Sequence, residues 1–577
     1  MSEHAPTAQT HDLRAPRNGL SHVVGGAEPP LSDATIGEFL ADAVTRFPDR
    51  LAAVFSEQGI RRSWREFQAD VDRLAAGLFA LGLHRGDRIG IWSPNRYEWL
   101  LTQFATARAG LILVNINPAY RIAELEYALN KVECKAIVTA AAFKTSDYLK
   151  MLRDLAPELE HSAPGQLQAA KLPHLRTVIR MGAERSPGMF NFDDVPVRAT
   201  AALLERVAKT AAELRCHEPI NIQFTSGTTG APKGATLTHH NVVNNARYIA
   251  QSMKFTEQDI LCIPVPLYHC FGMVLSVLAC VSAGAAMVFP CEGFEPKAVL
   301  DAVQAERCTA LHGVPTMFIA ELDHPDFGKY DFSRLRTGIM AGSPCPIEVM
   351  KRVISEMNLR EITIAYGMTE TSPVSFQSST DDTVEHRVST VGRIQPHLEV
   401  KIVDADGNTV PVGQTGELLT KGYSVMQGYW NDEERTRDTV RDGWMHTGDL
   451  ATIDADGYCN IVGRVKDMLI RGGENVYPRE IEEFLFAHPK VQQVQVFGVP
   501  DQKYGEEVCA WIILKPGETA TEDEFRGWCR DRIAHYKVPR YVRFVDELPM
   551  TVTGKAQKFM MRDRMIRDLG LTVAKTA

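Results

Sequence analysis

Ten consecutive residues carry the strongest chemical signal in the chain: Thr225-Ser226-Gly227-Thr228-Thr229-Gly230-Ala231-Pro232-Lys233-Gly234, directly after a β-like run at 220–224. The glycines let backbone N–H groups turn inward, the hydroxyls can donate to phosphate oxygens, and Lys233 adds a point charge. Such a loop reads as a polyphosphate cradle. It is not the P-loop of kinases and motor ATPases, which needs Ser or Thr after the lysine, where this chain has Gly234. Three further residues fit the chemistry of setting a carboxylate against a phosphate, where two anions must be brought together by cations and a metal. Glu370 beside Thr369 offers a hard oxygen ligand suited to Mg²⁺. Asp449 has two acceptor oxygens for a pair of sugar hydroxyls, and Lys555 sits on a Thr-Gly loop with a flexible cationic stem. Taken singly they would read as a solvated acid, a turn aspartate and a surface lysine.

Together, and in this order, they do not. The string TSGTTGAPKG closely resembles the phosphate loop of the adenylate-forming enzymes: acyl- and aryl-CoA synthetases, luciferases and peptide-synthetase adenylation domains. Tyr366-Gly367-Met368-Thr369-Glu370 is similar to that family's YGxTE, Thr447-Gly448-Asp449 to its TGD, Gly463-Arg464-Val465-Lys466-Asp467 to its GRxKD, and 549–555 to its C-terminal lysine motif. The resemblance covers residues 225–558 and implies ATP, Mg²⁺ and coenzyme A as reaction partners. It further implies that Tyr366 stacks on adenine beside the backbone of Gly342-Ser343-Pro344, with Gly367 and Met368 in the same nucleotide site. Asp449 and Arg464 would hold the ribose, Thr369 and Glu370 the reacting phosphate and its metal, and Lys555 the forming acyl adenylate. Asp467 becomes the hinge of a rotating C-terminal domain that withdraws Lys555 and brings in Arg471-Gly472-Gly473, whose glycines leave room for a pantetheine arm.

The acid is narrowed by what is missing. Where amino-acid-activating relatives carry an aspartate, this chain reads Tyr268-His269-Cys270-Phe271-Gly272-Met273-Val274, with no carboxylate to hold an ammonium. His269 matches the family's aromatic gate position. Gly367 stands where acetate-specific relatives have Trp, so the floor of the acyl pocket is expected to be open. Phe271, Met273, Val274, Val314, Met317 and Met368 are its apolar candidates, though each could equally be core. In its detailed wording the chain looks most like the branch called acyl-CoA synthetase family member 2, which implies medium-chain fatty acids. An aryl-CoA ligase, a module acylating a carrier protein and a silent nucleotide-binding regulator are the alternatives. The last is disfavoured because Lys555, Glu370 and Asp449 are all present.

These residues need a scaffold, and the texture of the chain supplies one. From about 33 to 460, helical patterns alternate with short β-rich runs such as 88–92 and 111–115, which predicts layered α/β sheets, largely parallel. Between 400 and 463 the turn pairs Asp406-Gly407, Asp442-Gly443 and Asp456-Gly457 predict a small antiparallel barrel or meander. Beyond 466 an α+β pattern begins, with a helix from Pro478, strands at 494–499 and 508–514, and a capping box from Thr521 to Glu524. The expected organisation is a flexible arm at 1–30, an AMP-binding domain at 31–466 and a mobile C-terminal domain at 467–577.

With 577 residues, 45% of them hydrophobic, the chain can bury a large core, and a net charge of −9 argues against nucleic acid as a partner. The 11 cysteines form no C-x-x-C and suggest free thiols in a reducing, cytoplasmic setting. The one long uncharged stretch, 260–291, is interrupted by Pro and Gly. It reads as strand 261–265, helix 271–282 stopped at Gly284, and strand 285–289 rather than a membrane span. Self-association into a homodimer is left open.

Overall fold

The computed structural model describes residues 14–225, 232–472, 474–530, 532–551 and 554–571. Four sheets of five or more strands organise them. The first runs, in spatial order, through Met189–Asn191, Thr177–Arg180, Ala136–Thr139, Arg88–Trp92, Ile112–Asn115, Pro219–Thr225, Lys233–Thr238 and Gly428–Tyr429. It is parallel as far as Pro219–Thr225 and antiparallel beyond. The second has a parallel centre, Glu361–Gly367, Thr337–Ala341, Ala310–Gly313, Ile260–Cys262, Ala286–Phe289 and Leu51–Phe55, with antiparallel strands at both edges.

The central strands of both sheets are apolar runs without alternation, as strands covered on both faces must be. One core cluster takes residues from both sheets and from the helices between them. Tyr97–Ala109 is buried on nearly every side, which is what a helix inside such a layer requires. The uncharged stretch folds as strand Ile260–Cys262, a continuous helix over 271–283 that ends on Gly284 at φ +73°, and strand Ala286–Phe289. Among the described residues no helix is long and apolar enough to cross a membrane. Phe271–Leu278 is wound as a π-helix rather than an α-helix, and the Ser276 hydroxyl donates back to Phe271 O at 3.0 Å.

The third sheet takes the meander form. Leu398–Val403, Gly416–Gly422 and Trp444–Ile453 pair in sequence, and Val440–Arg441 and Cys459–Arg464 both pair with Trp444–Ile453. Its other edge corrects the expectation of a free arm up to residue 30. His22–Val24 pairs antiparallel with Leu398–Val403, Val23 is 1% exposed, and Tyr248 donates to Pro29 O at 2.8 Å. Backbone pairing and the burial of Val23 hold these three residues.

The fourth sheet, Glu474–Val476, Leu469–Arg471, Gly505–Leu514, Val491–Asp501 and Tyr541–Phe544, uses only residues after 468, as do its two core clusters. Helix Pro478–Phe486 buries Ile481 and Leu485 as its spacing predicts. The capping box at Glu522–Cys529 is half formed. Thr521 accepts from Glu524 N–H, but the Glu524 carboxylate turns to Lys490 Nζ at 2.8 Å, a charged partner in place of a backbone N–H.

Candidate active site

The functional residues collect at the carboxyl ends of parallel strands in the two large sheets, where strands stop and backbone turns away. Thr225 and Lys233 face each other as the last paired residues of the hairpin Pro219–Thr225/Lys233–Thr238. The loop between them includes Ser226, Gly227, Thr228, Thr229 and Gly230, which lie outside the described residues. The flanks of the loop converge on one carboxylate. Glu370, 4% exposed in the turn Thr369–Thr371, accepts on Oε1 from Thr225 Oγ1 at 3.1 Å and from the Tyr429 hydroxyl at 2.9 Å. Lys233 Nζ donates to that same Tyr429 oxygen at 3.0 Å and lies 4.4 Å from its ring centroid. Burial pushes the Lys233 ammonium below its ordinary pKa, with Glu370 pulling the other way. Tyr429 thus joins cradle to carboxylate, and sequence reasoning missed it. It occupies a two-residue strand, Gly428–Tyr429, with no spacing that ties it to Thr225 or Glu370.

The second cluster lies between the end of Glu361–Gly367 and the middle of Trp444–Ile453. Asp449, 7% exposed, accepts from the Tyr366 hydroxyl at 2.6 Å on Oδ2 and pairs with Arg464 Nε at 3.2 Å on Oδ1. The register of the two antiparallel strands sets Asp449 opposite Arg464. Burial raises the Asp449 carboxyl above its ordinary pKa against the pull of Arg464. For Arg464, burial works against the charge, but Asp449, Asp467 and Tyr366 hold it above its ordinary value. Gly342, at φ +92°, follows Thr337–Ala341, and the parallel register Ala341 to Ala365 sets it beside Tyr366, with Ser343 and Pro344 continuing that turn.

Lys555 reaches this place from the fourth-sheet part of the chain. Its loop is tied by Thr551 N–H to Lys555 O at 2.8 Å and by Lys555 N–H to Thr551 Oγ1 at 3.0 Å. The loop rests on the large part so closely that a Cβ on Gly554 would lie 2.8 Å from Val314 Cγ2. Burial lowers the Lys555 pKa, Arg464 lowers it further, and Cys270, Asp449 and Glu370 oppose them. The lysine therefore sits within electrostatic reach of both clusters.

His269 is beside it and has a different character from a general base. Burial and the Lys555 charge drive its pKa down to about 3. Its Nδ1 accepts from Phe271 N–H at 3.1 Å, so the neutral ring caps the π-helix. Cys270, a second residue the sequence did not single out, lies between His269 Nδ1 at 3.7 Å and Thr369 Oγ1 at 3.8 Å, its thiol pushed up to about 11 by burial. Phe271, Met273, Val274, Val314 and Met317 are all buried in one cluster. Met273 Sδ lies 3.6 Å from Asn115 Nδ2 and 3.7 Å from Gln223 Nε2. Met368 is fixed through its N–H by Pro373 O at 3.0 Å.

One expectation needs correction. Gly367 is not open space facing the acyl group, because a Cβ there would lie 1.7 Å from Pro373 O. Glycine is needed for the close approach of two backbones at an irregularity in the pairing of Glu361–Gly367 with Val374–Gln377. Arg471 is paired within its own part of the chain. Glu507, 1% exposed, takes its guanidinium through bonds of 2.7 and 3.0 Å. Gly472, at φ +60°, donates to Tyr504 O at 2.8 Å, and Gly473 lies outside the described residues. Asp467 is exposed in the turn between Cys459–Arg464 and Leu469–Arg471, its N–H donating to Arg464 O at 3.1 Å.

Two clusters of charged residues, one around Glu370 and one around Asp449, with a lysine in electrostatic reach of both, have the character of an enzyme site for an anionic substrate. The comparisons agree. The family described as AMP-binding enzyme matches residues 40–430, and the AMP-binding enzyme C-terminal domain matches 480–555. This chain belongs to the AMP-binding enzyme family. It is 48% identical over 555 residues to the medium-chain acyl-CoA ligase ACSF2, mitochondrial, of Danio rerio, covering 96% of this chain and 91% of that protein. It is 50% identical over 544 residues to the putative acyl-CoA synthetase YngI of Bacillus subtilis, covering 94% and 99%. Among solved structures it resembles the anthranilate CoA ligase AuaEII in complex with anthranoyl-AMP, with a TM-score of 0.83 at 26% identity over 94% of this chain and 99% of that one. ATP-bound MatB from Rhodopseudomonas palustris matches with a TM-score of 0.78 at 30% identity over 92% and 99%.

Proposed function

We propose that the chain is an AMP-forming acyl-CoA synthetase: a fatty acid attacks the α-phosphate of ATP, pyrophosphate leaves, and the acyl adenylate then passes its acyl group to the thiol of coenzyme A, releasing AMP. Medium-chain acids are the substrates, supported by the ACSF2 relatives and by the apolar residues around the π-helix. The observation that carries the reading is the seating of the Lys555 loop on Val314 of the large part, where the lysine feels the charges of Arg464, Asp449 and Glu370. In the first half-reaction the Lys555 ammonium lies between the acid carboxylate and the α-phosphate and offsets their repulsion. Asp449 accepts from the ribose hydroxyls through lone pairs that Tyr366 and Arg464 leave over. The hairpin loop with Lys233 takes the departing phosphates. Glu370 and Thr369 fit a Mg²⁺ ion, since a buried carboxylate facing a phosphate loop is the hard-oxygen donor set that ion takes, and it would neutralise phosphate charge there.

The domains divide near residue 467, with Asp467 as hinge and Arg471 to Gly473 as the coenzyme A wall after rotation. The separate cores on either side support that boundary. Eleven buried cysteines, none in a disulfide, support a reducing compartment, with the cytoplasm as our assignment. The test is pyrophosphate release over C2 to C16 fatty acids and a series of aryl acids, with and without coenzyme A. The largest kcat/KM with a medium-chain acid, and thioester formed with free coenzyme A, are expected. A preference for aryl acids would favour the aryl ligase reading instead. Pyrophosphate release without thioester would favour a carrier-protein partner.

A further inference from the structure

At the opposite end of the cradle hairpin three segments bring metal-ligating side chains together. Asp33 lies just before helix Ile36–Arg46, Cys216 and His217 just before strand Pro219–Thr225, and His240 in the first turn of helix His239–Ser252. One carboxylate oxygen of Asp33 and one ring nitrogen from each of His217 and His240 all lie within 4.8 Å of one another. The two imidazoles are 4.6 Å apart between centroids, and Cys216 Sγ is 3.8 Å from Asp33 Oδ1. Among the described residues neither imidazole has a hydrogen-bond partner.

The backbone around these side chains is fastened. His240 N–H donates to Cys216 O at 2.8 Å. Asn244, 0% exposed, accepts from Ser32 N–H at 2.7 Å and returns its Nδ2 to Ser32 O at 2.9 Å, while His239 Nδ1 accepts from Ile36 N–H at 3.0 Å. All three segments that bear ligands are thus fixed to one another before any ion arrives.

We propose that His217, His240 and Asp33 form a site for a borderline divalent transition metal of the Zn²⁺ type, with the Cys216 thiolate or water as fourth ligand. Two imidazoles select this class over Mg²⁺ and Ca²⁺. Tetrahedral coordination needs ligand atoms about 3.3 Å apart, a closure of at most about 1.5 Å from the present separations that side-chain rotation supplies. The ion would clamp the segment before Ile36–Arg46 to the base of the hairpin whose tip is the phosphate loop. It is not the catalytic metal, because Thr225 and Glu370 lie at the far end of Pro219–Thr225, about 20 Å away for a seven-residue strand.

The experiment uses the full chain without a histidine tag, stripped by chelator and returned to excess Mg²⁺. Titration with Zn²⁺ by calorimetry is expected to give one equivalent bound at micromolar or tighter affinity, together with a raised Tm. H217A and H240A should each weaken binding roughly tenfold or more, and the double variant should abolish it. H217Q and H240Q serve as variants of similar size, with Tm without metal and coenzyme A ligation in saturating Mg²⁺ and ATP checking that the fold is intact. Substitution with Co²⁺ should give visible d–d bands, plus a thiolate band lost in C216S if sulfur is the fourth ligand. Equal Zn²⁺ binding by wild type and the double variant, or no binding by wild type at micromolar Zn²⁺, would overturn the proposal.

Discussion

Tyr429 stands between a cation and a carboxylate, accepting from Lys233 and donating to Glu370, so its hydroxyl sets where both charges sit. Tyr429→Phe keeps the ring under Lys233 and removes only that junction. A hydrogen bond to a charged group contributes about 1.5–3 kcal/mol, so adenylation is expected to fall roughly 10- to 100-fold in kcat/KM for ATP. Pyrophosphate exchange measures this, and an unchanged value would remove Tyr429 from the nucleotide site. Lys555 makes a prediction with a sign. Its pKa is pushed below the ordinary 10.5 by burial and Arg464, and the ammonium is the active form, so activity is present below that lowered pKa and lost as pH rises through it. The kcat/KM profile for adenylation should bend down on the alkaline side before pH 10.5. Under saturating ATP the bend in kcat should move to higher pH, because phosphate charge favours the ammonium. Lys555→Ala should cost adenylation about a hundredfold or more and remove the bend, while acyl adenylate supplied directly is still converted to thioester.

The hairpin that carries Gly367 gives a prediction at the level of elements, opposite to what the motif alone suggests. Trp at this position looks like a plug that would shift preference to short acids. The Pro373 carbonyl 1.7 Å from a Cβ means that any side chain must first push two backbones apart. Gly367→Ala should already destabilise by about 1–3 kcal/mol and lower kcat/KM alike for C2, C4, C8 and C12 acids, and Gly367→Trp should do so more severely. Selective survival of acetate in the Trp variant would restore the plug. This case marks where the sequence is readable. Runs such as Arg88–Trp92 and the Gly284 helix stop follow from local chemistry, and so do the motif residues that share one job. His22–Val24 escaped because three residues held by backbone pairing leave no pattern. The π-winding of Phe271–Leu278 escaped because eight residues, all buried, have no polar face to report the period. Tyr429 and Cys270 escaped because their roles exist only once distant strand ends meet.

At the scale of the molecule, the part after residue 468 has its own cores and touches the rest through contacts that include Phe486, packed against a core cluster of the large part. Gln492 donates to Asp323 at 3.1 Å, Arg479 to Ile461 O at 2.6 Å, and Gly554 packs on Val314. A body with its own core can rotate as a unit. With Lys555 placed there, Arg471 is held by Glu507 in the fourth sheet, and on the proposed function this arrangement is the adenylating one. Coenzyme A must then meet another one. Two substitutions should separate the half-reactions in opposite directions. Gly554→Ala adds a methyl 2.8 Å from Val314 Cγ2 at φ +73°, lifting the lysine loop, and a misplacement near 1 Å can cost about a hundredfold. Adenylation should fall by that order while thioester formation from supplied acyl adenylate persists. Asp467→Pro removes the N–H bonded to Arg464 O and fixes φ in the proposed hinge turn. Adenylation should survive, and thioester formation should slow on the order of tenfold or more. Single-turnover measurement of each half-reaction in both variants decides the matter, because equal losses in both steps would mean that one fixed arrangement performs the whole reaction.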